Sequence, residues 1–172
     1  MDYWDHQGWR DAFSSPVFTQ RQEAYGRQFG LPSVYTPEMV VDGIAQFTGS
    51  DAARAQSEIA RAASRKKAKL RIARTAAGLE VAVEDAPRSA DVYLALADDT
   101  AMSQVAAGEN QGRQLHHVAV ARGIRKIGSV KRGAGFQRVV DLPAGSGAQR
   151  VVVFVQENGA GEVLGAAVLA PV

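Results

Sequence analysis

The spacing of apolar residues changes near residue 66, and that change constrains the fold more than any other feature of the chain. Beyond it, Leu70 and Ile72 alternate with Lys69, Arg71 and Ala73. Leu79, Val81 and Val83 alternate with Glu80, Ala82 and Glu84, and Val92, Leu94 and Leu96 with Asp91, Tyr93 and Ala95. Successive side chains of a strand point to opposite faces, so this pattern calls for one buried and one wet face. Further strands are expected within residues 115–127 and over 136–142, 150–156 and 163–169. Some seven short strands, with Gly78 and other turn residues between them, predict an antiparallel β-sandwich over residues 67–172.

Residues 1–66 follow a different pattern. Ser15 and Pro16 suit the cap and first position of a helix. Val17, Phe18, Arg21, Tyr25 and Phe29 recur at helical spacing until Gly30 and Pro32. Met39, Val40 and Val41 form a short apolar strand, Asp42-Gly43 signals a two-residue hairpin turn, and residues 44–48 return. An alanine-rich helix is expected over 51–65, with Asp51 at its positive end and Arg65 and Lys66 at its negative end. The stretch Ala144, Gly145, Ser146, Gly147 reads as a flexible loop. The expected class is α+β in two parts, residues 1–66 and 67–172.

Several chemistries are excluded or unsupported. The chain has no cysteine, so it has no thiolate nucleophile, disulfide or cysteine metal ligand of its own. No run of apolar residues reaches the length of a membrane span. The acidic, aromatic start, Met1 to His6, lacks the layout of a signal peptide. There is no glycine-rich phosphate loop and no nucleophile-elbow motif. His116 and His117 are adjacent and would face opposite sides of a strand, so neither a metal site nor a cofactor is expected. The net charge of +2 does not call for nucleic acid. Two basic stretches, 54–74 and 113–138, would gather phosphates if they converged, although solvated strand faces are the simpler reading.

Three groups of residues carry a resemblance. They are Asp2-Tyr3-Trp4-Asp5 with Gly8-Trp9; the block from Tyr35 to Gly43, Tyr-Thr-Pro-Glu-Met-Val-Val-Asp-Gly; and Gly108 to Arg113 with the His-Val-Ala-Val-Ala-Arg run from His117 to Arg122. Together they resemble the domain of unknown function 1223 family of secreted bacterial thioredoxin-like proteins. The resemblance implies that residues 1–66 are the back half of a thioredoxin-like domain. It implies that Thr36 and Pro37 form a cis-proline loop which, with Tyr35, holds an extended peptide by adding it as a strand. Trp4, Asp5 and Trp9 would lie beside that groove, or else pack the loop onto the core. Family members begin with an export signal, a first strand, a Cys-x-x-Cys motif and a first helix, so the resemblance also implies that this chain, which starts at Met1 just before the Asp2-Tyr3-Trp4-Asp5 loop, is truncated and lacks all four. The full-length family would then be periplasmic or secreted. Without its first strand, the sheet would have an unpaired edge open to self-association.

Three functions follow as expectations. The chain is a thioredoxin-like remnant without thiol chemistry, a non-catalytic binder of an extended peptide or protein, or a binder of anionic polymers. Exchange requires a thiolate attacker, so the purified chain is expected to leave the rate of insulin reduction by dithiothreitol unchanged. A rate clearly above the uncatalysed one would overturn this.

Overall fold

The computed structural model describes residue 2, residues 11–106 and residues 111–172. Nine strands and two α-helices are present among them, in an α+β arrangement with antiparallel sheets. The seven strands beyond residue 66 are β3 (Lys69–Thr75), β4 (Gly78–Glu84), β5 (Ala90–Gln104), β6 (Gln114–Val130), β7 (Phe136–Val140), β8 (Arg150–Gln156) and β9 (Val163–Leu169). They form a three-stranded sheet in the order β3-β4-β7 and a four-stranded sheet in the order β6-β5-β8-β9.

The alternation read from the sequence sets which rows face inward. Leu79, Val81 and Val83 of β4 meet Val92 and Leu94 of β5 and Val151, Val153 and Val155 of β8, all of them buried in one core. Each such side chain contributes roughly 1.5–3 kcal/mol relative to exposure. The rims of the two sheets also meet. On one side the Ala68 amide donates to the Leu164 carbonyl at 2.7 Å. On the other, Arg138 Nη1 of β7 donates to the Ile127 carbonyl of β6 at 2.5 Å. Here Gly128 lies against the Phe136 ring, where a Cβ would fall 2.3 Å from ring carbon Cε2.

Strands β5 and β6 are longer than the pattern predicts. Pairing of β5 with β8 stops at Ala97 and Arg150, while β5 and β6 stay paired out to Gln104 and Gln114. Register shifts between Val92 and Tyr93 and between Leu96 and Ala97 break the simple alternation. The 144–147 stretch is also more ordered than a flexible loop. It enters a 3-10 turn, Ser146–Ala148, and Ser146 is buried.

The first part holds helix α1 (Pro16–Phe29), strands β1 (Glu38–Val41) and β2 (Ala45–Thr48), and helix α2 (Ala52–Ala63). Ser15 is extended, as a cap residue is, but its side chain makes no capping bond. Asp51 does cap α2, accepting from the Arg54 amide at 3.0 Å. Gly30 closes α1 in the left-handed conformation. The hairpin turn is one residue longer than expected. Val41 pairs with Ala45, and Asp42, Gly43 and Ile44 lie between them. Asp42 and Gly43 both have positive φ, and a Cβ on Gly43 would fall 2.1 Å from the Gly161 carbonyl oxygen. That close approach to the second part of the chain requires glycine.

Helix α1 lies on the outer face of the four-stranded sheet. Arg21 stands over the rings of Tyr25 (5.1 Å), Tyr93 (5.8 Å) and Phe154 (5.2 Å). Its Nη2 donates to Gln156 Oε1 at 2.6 Å, and Gln156 Nε2 donates to Tyr25 Oη at 2.9 Å. Burial pushes the Tyr93 hydroxyl pKa upward and the Asp91 charge adds to it, opposed by Arg21 and Lys126. An ionic cluster makes a second junction. Lys67 Nζ reaches Asp42 Oδ2 at 2.5 Å and the Val163 carbonyl at 2.8 Å. Glu162 pairs with Arg88 and Arg65. Burial alone would raise the Glu162 pKa, but the Arg88 hydrogen bond and the charges of Arg88, Arg65 and Lys67 outweigh it, and the net direction is downward.

A carboxyl pKa depressed by folding adds stability above its unfolded value, near 4.3. That stability is lost as the pH falls through the folded value. Glu162→Gln is therefore expected to cost about 0.5–1 kcal/mol at pH 7, a range that allows for the partial exposure of Arg88. The difference from the parent chain should shrink on acidification below about pH 4. Urea melts of both chains across a pH series check this, and a difference that grows with acid would refute it.

Candidate functional site

Loop residues 31–37 carry the chain from α1 into β1, and side chains from α1 and β2 hold Tyr35. Gln22 of α1 is 5% exposed. Its Nε2 donates to the Tyr35 carbonyl at 2.6 Å and to Glu38 Oε2 at 2.9 Å. Gln46 of β2 donates to the Tyr35 hydroxyl. The Thr36–Pro37 peptide bond is cis, as the resemblance implies. The Pro37 carbonyl accepts from the Gly49 amide at 2.9 Å. Glu38 Oε1 is buried with no hydrogen-bond partner.

The Pro37–Gly49 bond fixes what the edge of β1 presents. Glu38 lies opposite Thr48 and Val40 opposite Gln46. In an antiparallel ladder, hydrogen-bonded and non-hydrogen-bonded pairs alternate. Because Pro37 bonds across to Gly49, residues 39 and 41 also bond toward β2. The amides and carbonyls of Glu38 and Val40 are therefore directed away from β2. Among the described residues no strand pairs with that side of β1. The edge thus offers two donors and two acceptors directly after the 35–37 loop, flanked by half-buried Met39 and Val41.

The other residues singled out in the sequence do not join this loop. Trp4, Asp5 and Trp9 lie outside the described residues. His117 Nε2 sits 2.8 Å from Ser103 Oγ, and its ring meets Phe13 edge-on at 5.3 Å. That is on the β5–β6 hairpin, where Arg122 also stacks on Phe13. Among the described residues no helix is long and apolar enough to cross a membrane. Sequence reasoning missed Gln22 and gave Glu38 no role of its own, since a polar contact between a helix and a strand edge leaves no periodic signal.

The pattern of the family described as Protein of unknown function (DUF1223) matches residues 1–156. The chain belongs to the DUF1223 family. Its fold is similar to the X-ray crystal structure of protein AGR_C_4864 from Agrobacterium tumefaciens, with a TM-score of 0.82 and 20% sequence identity. The alignment covers 100% of this chain and 78% of that one. At that identity the likeness establishes a shared fold and no shared activity. No curated protein matches the chain.

Gln22 bridges the loop and the strand, so its loss leaves the Tyr35 carbonyl and the whole Glu38 carboxylate without their donor. Gln22→Leu is expected to lower stability by about 2 kcal/mol, the typical cost of orphaned buried polar groups. Thermal and urea melts measure it, and a neutral or stabilising effect would contradict the assignment.

Proposed function

We propose that the chain is a thioredoxin-like protein that binds an extended polypeptide as an added strand on the open side of β1, without performing thiol-disulfide exchange itself. The observation that carries this reading is the outward direction of the Glu38 and Val40 backbone groups beside the Tyr35, Thr36 and Pro37 loop. Strand addition uses main-chain bonds for affinity and neighbouring side chains for selection. Tyr35 and Met39 are the side chains nearest to such a strand in sequence. The absence of any cysteine removes the redox half of a thioredoxin-like role from this chain. A periplasmic or secreted location is part of the proposal and rests on the family resemblance. A second copy of the chain presents the same edge, so self-association would compete with the polypeptide.

Reduced, carboxymethylated ribonuclease A supplies an extended chain without free thiols. The expected result is saturable binding, with the Glu38 and Val40 amides protected from hydrogen exchange in the complex. Val40→Pro removes one outward N–H and leaves the β1–β2 bonds in place, so it should abolish binding. Unchanged binding by this variant, or protection confined to other strands, would reject the proposal. If light scattering shows a concentration-dependent dimer that Val40→Pro dissolves, and the polypeptide does not bind, the occupant is a second copy.

A further inference from the structure

The two basic stretches of the sequence meet at one place, at the end of the sandwich where α2 leads into β3. A groove of about 520 Å³ there is lined by Lys66, Lys67 and Lys69 from the first stretch and Arg132 from the second, together with Asp85. This volume lies within the range of small-molecule sites, about 300–1,000 Å³.

The cations differ in their engagements. Lys67 is held by Asp42 and the Val163 carbonyl. Glu84, which also lines the groove, is taken by Arg71. Lys66, Lys69 and Arg132 are exposed, and their side chains make no ion pair or hydrogen bond among the described residues. Asp85 likewise has no partner there. The uncommitted charge around the groove is therefore three positive against one negative.

Backbone hydrogen bonds hold the segments that carry these side chains. The Ala68 amide is tied to the Leu164 carbonyl at 2.7 Å, which fixes the segment bearing the lysines. Across the groove, the Gly133 amide donates to the Ala86 carbonyl at 2.8 Å and the Ala86 amide to the Ala134 carbonyl at 3.3 Å. The Arg132 amide donates to Ser89 Oγ at 3.1 Å. Ala86, between these loops, is 1% exposed. Side chains more than sixty positions apart are thus presented on segments tied by backbone hydrogen bonds.

We propose that this groove binds a small anion carrying two or more phosphate or carboxylate charges, held by Lys66, Lys69 and Arg132. The guanidinium supplies a planar fork for two oxygens and the lysines supply point charges. Asp85 sets a limit, since its carboxylate repels such a ligand. Its φ of 47° is a conformation that asparagine also adopts readily, so Asp85→Asn removes the charge without straining the turn.

Calorimetric titration of the full chain at low ionic strength, with inorganic pyrophosphate and separately with citrate, tests the site. Saturable binding with a Kd of about 0.1–1 mM is expected for at least one of them. Lys69→Gln with Arg132→Gln should weaken it about tenfold, and Asp85→Asn should tighten it about threefold. Arg27→Gln with Arg113→Gln makes the same change in net charge on exposed residues outside the groove and should leave the affinity unchanged. Binding of pyrophosphate alone assigns phosphate, and binding of citrate alone assigns carboxylate. No saturable binding of either probe, equal weakening in the Arg27 and Arg113 variant, or no tightening with Asp85→Asn would overturn the proposal.

Discussion

The inward rows of β4, β5 and β8 hold the rest of the molecule in place. Leu79, Val81, Val83, Val92, Val151, Val153 and Val155 are all at most 2% exposed, and no other part of the described chain has a comparable cluster. Before β3, the buried apolar residues among those described are Phe47 and Ala62. Two helices and a hairpin with so little buried apolar surface do not offset their own conformational entropy. They lean on the sandwich through polar and aromatic contacts: Arg21 and Tyr25 on Gln156, Asp42 on Lys67, and Gly43 against Gly161. The candidate edge on β1 is thus positioned by the core of the other half.

The strands were readable wherever one face is wet and the other dry. Period-two alternation marked β3, β4 and the first half of β5, because burial in a two-layer sheet imposes that period. It failed where burial stops imposing it. Beyond residue 97, β5 and β6 pair only with each other, and Asp98, Asp99 and Thr100 look like loop residues although they lie in β5. The hairpin turn was misjudged by one residue for a related reason. Asp42-Gly43 is a local turn signal, but the contact of Gly43 with Gly161 joins residues more than a hundred positions apart.

The candidate site was legible only in part. The 35–37 loop came from family resemblance, since Thr-Pro alone does not specify its isomer. What surrounds the loop could not be read. Gln22 lies among polar helix residues with nothing to mark it as buried, and Gln156 ends a strand whose partner helix lies about 130 positions earlier in the chain. Convergence of the two basic stretches was left open by the sequence. It was decided by non-local contacts, among them the backbone bonds of Ala86 with Gly133 and Ala134, which no local pattern encodes.

The close fit of Gly128 against Phe136 has a consequence for descent. A side chain at 128 collides with the ring at 136, and loss of the ring opens a void beside β6. Neither position can drift alone without a penalty, so the two should change together among relatives that keep this packing. Where a relative carries alanine or a larger residue in place of this glycine, the position facing it should hold a smaller, non-aromatic side chain. The pair then records whether a distant member closes the rim between its two sheets in the same way.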